Sequence, residues 1–540
     1  MTLYVPEEFT AAETEILRRY FSNLDGPVFA LVNLPEVVKG ALFARYSRSP
    51  KSLRRLFLDE FVGDLDISGD QGVDATIGLK RAEELYEKVF FEYGDDSVAQ
   101  LGGVHLACEQ ASNVLTKILE WGRLMSYLEQ STRYIAYDQR LGGRYRFFRD
   151  PAVLASRLGT RYVGEMDRMF DAYSESVDAV TDHVRATVVQ QPGDTDFVYR
   201  LATRAKALDA TRGMLPASSI SNVGIYGSGQ AFESLLIRLR AHPLPEAQAY
   251  GDLMLTELRK VIPSFLRRVD LADRGGRWAE YFVETREDTA DLVANLLGPG
   301  DVDGPADALD LDRTEVTLVD FDPEAEDKLL AAICYTHTSM SDAQVLDRVR
   351  RLGAEDRLAL VRAYVGTRQN RRHKPGRAFE RVDYRFDVLS DYGAFRDLQR
   401  HSMLTIEWQP LTPRHGFVRP ELVEEAGEGE HFDETMRRSS ELYHAMYDVF
   451  PDQAPYAVAM AYRIRYAMQF NAREAIHLLE LRSSPQGHPA YRRVALEMHR
   501  LIAEQAGHHA VAAAMHHLTT EAPELERLES ERRAEARRSI

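Results

Sequence analysis

The densest group of side chains able to do chemistry lies between Trp121 and Tyr134, in WGRLMSYLEQSTRY, just after the apolar run ASNVLTKILE. Glu129, Gln130, Ser131, Arg133 and Tyr134 form a kit for an anion or a nucleotide. Arginine supplies a planar fork for phosphate, serine a hydroxyl, and glutamine an amide that matches a pyrimidine edge. On spacing alone the same residues also suit a polar helix end with a capping serine. A second group, Asn471, Arg473, His477 and Arg482, falls within twelve residues late in the chain. At about one hundred degrees per residue, Arg473 and His477 share a helix face while Asn471 and Arg482 lie together nearly opposite. One short helix could thus serve two different groups.

Positioning these residues calls for elements that recur. VFALVNL from Val28 and EVTLVDF from Glu315 read as strands, and each precedes a segment with helical periodicity, EVVKGALFARY and EAEDKLLAAICY. Late in each half a leucine-rich helix ends at an arginine, Arg240 or Arg482, and a proline-containing turn follows. Between the halves, GPGDVDGPADALDLD combines glycine, proline and acid without a helical period and reads as a linker. The expected organisation is a first α/β repeat over residues 1–297, a linker over 298–313 and a second repeat over 314–540. The last twenty residues mix both charge signs and read as a solvated helix or frayed tail.

Composition narrows the function. A chain of 540 residues exceeds the length at which one core stops growing, and 44% apolar with 28% charged residues fits packed domains. A formal charge of -17 disfavours polymeric nucleic acid, whereas a small anion needs only local positive potential. Two cysteines make neither a disulfide framework nor a four-cysteine zinc site. His508, His509, His516 and His517 lack carboxylate or cysteine patterning and read as exposed helix residues, so no metal is expected. No apolar window reaches the roughly 18 residues of a membrane span, the N-terminus carries no basic and then apolar leader, and a cytoplasmic location is expected.

The segment at 121–134 resembles the signature of flavin-dependent thymidylate synthases, Arg-His-Arg, seven residues, then Ser, within Glu-x-Ser-x-Arg-Tyr. Trp121, Gly122 and Arg123 take the places of Arg-His-Arg, and Glu129, Ser131, Arg133 and Tyr134 match the downstream half. Arg212 to Pro216 match the family's Arg-x-x-Leu-Pro element, while Ser228, Gly229 and Gln230 replace its Asn-x-Arg. The second repeat departs in the complementary direction. Arg400, His401 and Ser402 resemble Arg-His-Arg, Glu380 falls where the family has a glutamate near the flavin, and Asn471, Arg473, His477 and Arg482 keep the family spacing. Pro410 stands at the signature serine, and Pro455 where the Arg-x-x-Leu-Pro arginine would fall.

The resemblance implies two tandem α/β domains of this family forming a pseudo-dimer. It further implies FAD-dependent methylation of deoxyuridine monophosphate (dUMP) to dTMP, with methylenetetrahydrofolate and NADPH as co-substrates. By its motifs, Glu129, Gln130, Ser131, Arg133, Tyr134 and Arg212 bind the nucleotide. Arg123, Glu380, Arg400, His401, Asn471, Arg473 and His477 hold FAD, and Arg482 and Ser131 face the reaction. A homodimer would stand in for the family's tetramer. The alternatives are a same-fold enzyme acting on another pyrimidine nucleotide and a non-catalytic nucleotide or flavin binder.

Overall fold

The structure, a computed structural model, describes residues 4–34, 42, 46, 49–60, 103–297, 312–521 and 523–538. Most of the expected linker, residues 298–311, and the segment EVVKGALFARY, apart from Leu42 and Tyr46, lie outside the described residues.

Among the described residues, eight strands form two four-stranded antiparallel sheets. In the first, β1 (Val28–Leu31), β2 (Gly103–Ser112), β4 (Ile220–Ser228) and β3 (Met125–Glu129) lie in the order β1-β2-β4-β3. In the second, β5 (Val316–Phe321), β6 (Asp383–Asp391), β8 (Arg463–Asn471) and β7 (Leu404–Trp408) lie in the order β5-β6-β8-β7. The two orders are the same once the second set is renumbered, as two copies of one domain require.

The correspondence extends to how each helix starts. A polar residue at the end of β2, β4, β6 and β8 caps the next helix, its side chain accepting a backbone N–H that the helix itself leaves unpaired. Ser112 caps Asn113–Leu119 and Ser228 caps Gly229–Arg240. Asp391 caps Tyr392–Leu398 and Asn471 caps Ala472–Arg482. The two leucine-rich helices end at Arg240 and Arg482 as their periodicity predicts, and each is followed by a helix with proline in its first turn, Pro245–Leu258 or Pro489–Glu504. Their apolar faces close the cores. In the second copy Phe386, Phe395, Tyr466, Phe470, Leu479 and Met498 are all buried.

The compact units do not follow the two halves of the sequence. One unit comprises Met1–Ser174, Leu215–Pro305 and Arg437–Val458, and the other Glu175–Met214, Ala306–Met436 and Ala459–Ile540. Each is built mainly from one copy and takes in a short piece of the other. Arg212, from the first copy's Arg-x-x-Leu-Pro element, therefore belongs to the unit that carries the second copy's sheet.

Candidate active site

In the second unit three elements deliver the charged side chains. The short helix Tyr392–Leu398 carries Asp397 one residue before its end and leads into Arg400 and His401. Helix Ala472–Arg482 carries Arg473 in its first turn, His477 a turn later and Arg482 at its last position. Helix Asp196–Thr211, capped by Thr195, has Arg212 at its C-cap, where a cation complements the helix dipole.

These residues converge on one carboxylate. Asp397 lies 3.7 Å from Arg212 Nη1 and 3.6 Å from Arg482 Nη1, and it also accepts a hydrogen bond from Arg400. Three guanidinium groups around one acid leave a surplus of positive charge in a poorly hydrated place, which suits a phosphate or the polarised carbonyl of a ring. Arg212 reaches this point because residue 393 is glycine. A Cβ there would meet Asp391 Oδ1 at 2.9 Å and Arg212 Nη2 at 3.2 Å. Beside the cluster opens a cavity of about 550 Å³ whose lining includes Arg212, Asp391, Gly393, Met460, Pro489 and Arg493, a volume in the range of small-ligand sites.

Arg482 is fixed on three sides. Its Nε donates to His401 Nε2 at 3.0 Å, Asp397 faces its Nη1, and its guanidinium lies 5.5 Å over the Tyr491 ring. The bond from Arg482 requires His401 to keep its proton on Nδ1, which lies 2.9 Å from Glu474 Oε1. Burial and the adjoining Arg482 hold the His401 imidazole well below its ordinary range, so it remains neutral. Burial pushes Glu474 up to about 7. His477, its ring centroid 5.6 Å from that of His401, is lowered to about 4, by burial first and then by Lys374, Arg371 and Arg482.

His401, Glu474 and His477 offer ligand atoms within 4.8 Å of one another, the spacing of a metal site. Their surroundings argue against a cation: His401 engages both nitrogens, and Lys374, Arg371 and Arg482 add positive charge. The same surroundings favour an anionic group. Arg473 joins that side of the site, donating to Pro375 O at 2.9 Å and to Glu380 Oε1 at 3.1 Å. Asn471 caps its own helix by accepting from Glu474 N.

The remaining expected residues lie in the first unit, Arg123 just before β3 and the others at its end and in the turn after it. Glu129 is buried and pairs with Lys117 at 3.1 Å. Gln130 is buried, and its side-chain amide donates to Ser49 O at 2.5 Å. Ser131 Oγ accepts from Arg133 N at 3.3 Å, closing a small turn with Tyr134 exposed beyond it. Arg123 is exposed. The structure thus gathers Arg212, Arg400 and Arg482 at Asp397 with His401 bonded to Arg482, sets Glu380 and Arg473 together, and keeps Glu129, Gln130, Ser131, Arg133, Tyr134 and Arg123 in the other unit.

Sequence reasoning missed Asp397, Glu474, Lys374 and Arg493. A usable signal existed for Asp397, which stands three residues before Arg400 while the first copy has Ile118 at the corresponding place after its capping residue. Two expectations also need correction. His508 is not an exposed helix residue: it is 2% exposed and bonded to Tyr384 Oη at 2.8 Å. The tail is helical from Leu528 to Arg538, but its start is buried, because Arg527 forms bonds of 2.9 and 3.1 Å to Asp209 on the helix that bears Arg212. Replacing Arg527 by Ala breaks this buried pair with Asp209 and is expected to cost about 3–5 kcal/mol in a urea unfolding titration.

Comparison with known proteins bears directly on this arrangement. The family model for thymidylate synthase complementing protein matches the chain twice, over residues 46–264 and 317–507. The chain belongs to that family. Each match takes in one of the two sheets except its opening strand in the first copy, and the second match includes the whole of helix Ala472–Arg482. Family membership identifies the chain as a relative of the flavin-dependent thymidylate synthases, in agreement with the motifs at 121–134 and 471–482. A UPF0159 protein of Chlamydia muridarum is 37% identical over 495 residues, covering 91% of this chain and 92% of that protein. A UPF0159 protein of Thermoplasma acidophilum is 30% identical over 492 residues, covering 86% and 92%. The solved structure of flavin dependent thymidylate synthase ThyX from Helicobacter pylori, described as complexed with FAD and dUMP, shares 18% identity and covers 35% of this chain and 93% of its own, with a TM-score of 0.27, too low to add to the family match. No helix among the described residues is long and apolar enough to cross a membrane.

Proposed function

We propose that this member of the family methylates dUMP at carbon 5, using methylenetetrahydrofolate as carbon donor and NADPH as reductant, at one composite site per chain. The observation that carries this reading is the meeting of Arg212, Arg400 and Arg482 at Asp397. The first repeat contributes the nucleotide arginine that the second lost at Pro455, and the second contributes the Arg-His pair and the helix that the first lost at Trp121 and Gly122.

In this reading bound FAD supplies the hydride that completes the methyl group. The chain's own residues do the rest. Arg212 holds the nucleotide. Arg482 faces the uracil and stabilises the negative charge that builds on the ring oxygens as carbon 5, having gained its new bond, releases its proton. His401, neutral and bonded to Glu474, holds Arg482 in place without adding a competing charge. Neither cysteine suits a nucleophile's role, since burial raises the thiols of both Cys108 and Cys334. A ring activated by fixed cations needs no such nucleophile.

Arg473, with Glu380, Arg400, His401, Asn471 and His477, is assigned to the flavin side. Replacing Arg473 by Ala is expected to lower the FAD content of the purified protein severalfold while leaving the fold intact, as read by absorbance near 450 nm against circular dichroism. Unchanged FAD content would remove the flavin from this part of the molecule.

A further inference from the structure

Helix Asp196–Thr211 comes from the first repeat but belongs to the second unit, and its fastening there matters because Arg212 is its C-cap. Lys206, Asp209 and Arg212 stand three residues apart and share one face of that helix. The C-terminal segment grips the first two of them. Lys206 Nζ donates to Glu524 O at 2.5 Å and lies 3.2 Å from Glu526 Oε1. Asp209 accepts two bonds from Arg527 Nη2, of 2.9 and 3.1 Å.

The same segment reaches the elements that carry the other cations. His517 N donates to Glu480 Oε1 at 3.2 Å and Thr519 N to Ser483 Oγ at 3.3 Å, on either side of Arg482. Arg492, beside Arg493 in helix Pro489–Glu504, donates to Glu521 O. Contacts made between residues 517 and 527 thus join the helix of Arg212 to the helices of Arg482 and Arg493. Beyond Leu528 the tail returns to the start of helix Asp196–Thr211, roughly 25 Å from Arg212 at 1.5 Å per residue. There Arg532 donates to Asp194 at 2.6 and 3.1 Å, and Thr195 donates to Glu535 Oε1 at 2.7 Å.

Asp209 is the point at which this clamp meets the site. It is buried and lines, with Arg212 and Glu526, the cavity of about 550 Å³ beside the arginine cluster. A carboxylate left without its cation here would stand one helical turn from Arg212. It would draw that guanidinium away from Asp397 and repel an arriving phosphate. Arg527, buried against it, cancels the charge. We propose that Arg527 is a positioning residue for the nucleotide site: by pairing with Asp209 it keeps Arg212 directed at Asp397 and at the phosphate that binds there. The inference rests on the nucleotide role given to Arg212 above.

Equilibrium dialysis of labelled dUMP against the flavin-loaded full chain tests it. Arg527→Ala is expected to weaken binding about tenfold or more, to raise KM without lowering turnover at saturating dUMP, and to leave the FAD content unchanged. Arg527→Gln, which still donates to Asp209 but carries no charge, gives the same result should Arg527→Ala fold poorly. Adding Asp209→Asn to either variant removes the stray charge and returns affinity to within about threefold of the parent, a recovery that lost packing alone would not show. Arg532→Ala, at the far end of the same helix, keeps the parental affinity. Parental affinity in both Arg527 variants, no recovery on adding Asp209→Asn, or equal weakening by Arg532→Ala would each overturn the inference. Parental affinity in Arg212→Ala would instead overturn the nucleotide reading on which it rests.

Discussion

Arg482→Ala is expected to lower the turnover number for dTMP formation by roughly 10²–10³-fold while changing the dUMP dissociation constant only a few fold, the range seen when one preorganised donor to a developing anion is lost. The size of the effect follows from how the guanidinium is held. His401 Nε2 accepts from its Nε, Asp397 faces its Nη1, and Tyr491 covers it, so it needs no rearrangement when charge appears on the ring. Its side chain is 14% exposed, which keeps water from screening it. Arg482→Lys should fail to restore turnover, because a single ammonium group cannot bond to His401 and reach Asp397 in the same geometry. Single-turnover kinetics on the flavin-reduced enzyme separate the two parameters. A variant whose affinity falls as much as its turnover would show that Arg482 binds substrate rather than acting on the transition state.

Arg212→Ala is expected to weaken dUMP binding by about tenfold to a hundredfold and to leave FAD bound, corresponding to one charge-assisted contact of about 1.5–3 kcal/mol. Arg212 lies against Asp391 across Gly393 and shares Asp397 with Arg482, so truncating it also leaves two acids facing the place where the phosphate would arrive. Equilibrium dialysis with labelled dUMP reads the variant. Parental affinity in Arg212→Ala would take the nucleotide away from the second unit.

Much of the fold was legible because local rules and tertiary packing agree in it. The strands at Val28 and Glu315 and the helices ending at Arg240 and Arg482 stand where periodicity, caps and prolines put them. The exchange of segments between compact units was not legible, since no residue near 174, 214, 436 or 458 breaks a local pattern in a way that marks it. Motif spacing found Arg212, Arg400, His401 and Arg482 but could not show that one acid joins them. Asp397 looks, in sequence, like an ordinary partner of Arg400 three residues on. His508 was misread for a related reason: a histidine in a polar stretch carries no sign that Tyr384 and a sheet will cover it. Asn471 shows the converse, because its family-like spacing coincides with a capping position that would be kept in any β-to-helix junction.

The most direct test of the composite site is release of tritium from carbon 5 of labelled dUMP by the full chain supplied with FAD, NADPH and methylenetetrahydrofolate, measured together with dTMP formed. The account predicts release that matches dTMP production, falls roughly 10²-fold or more in Arg482→Ala, and is recovered in Arg212→Ala only at raised dUMP concentration. A parental protein that binds both FAD and dUMP yet releases no tritium and forms no dTMP would contradict it.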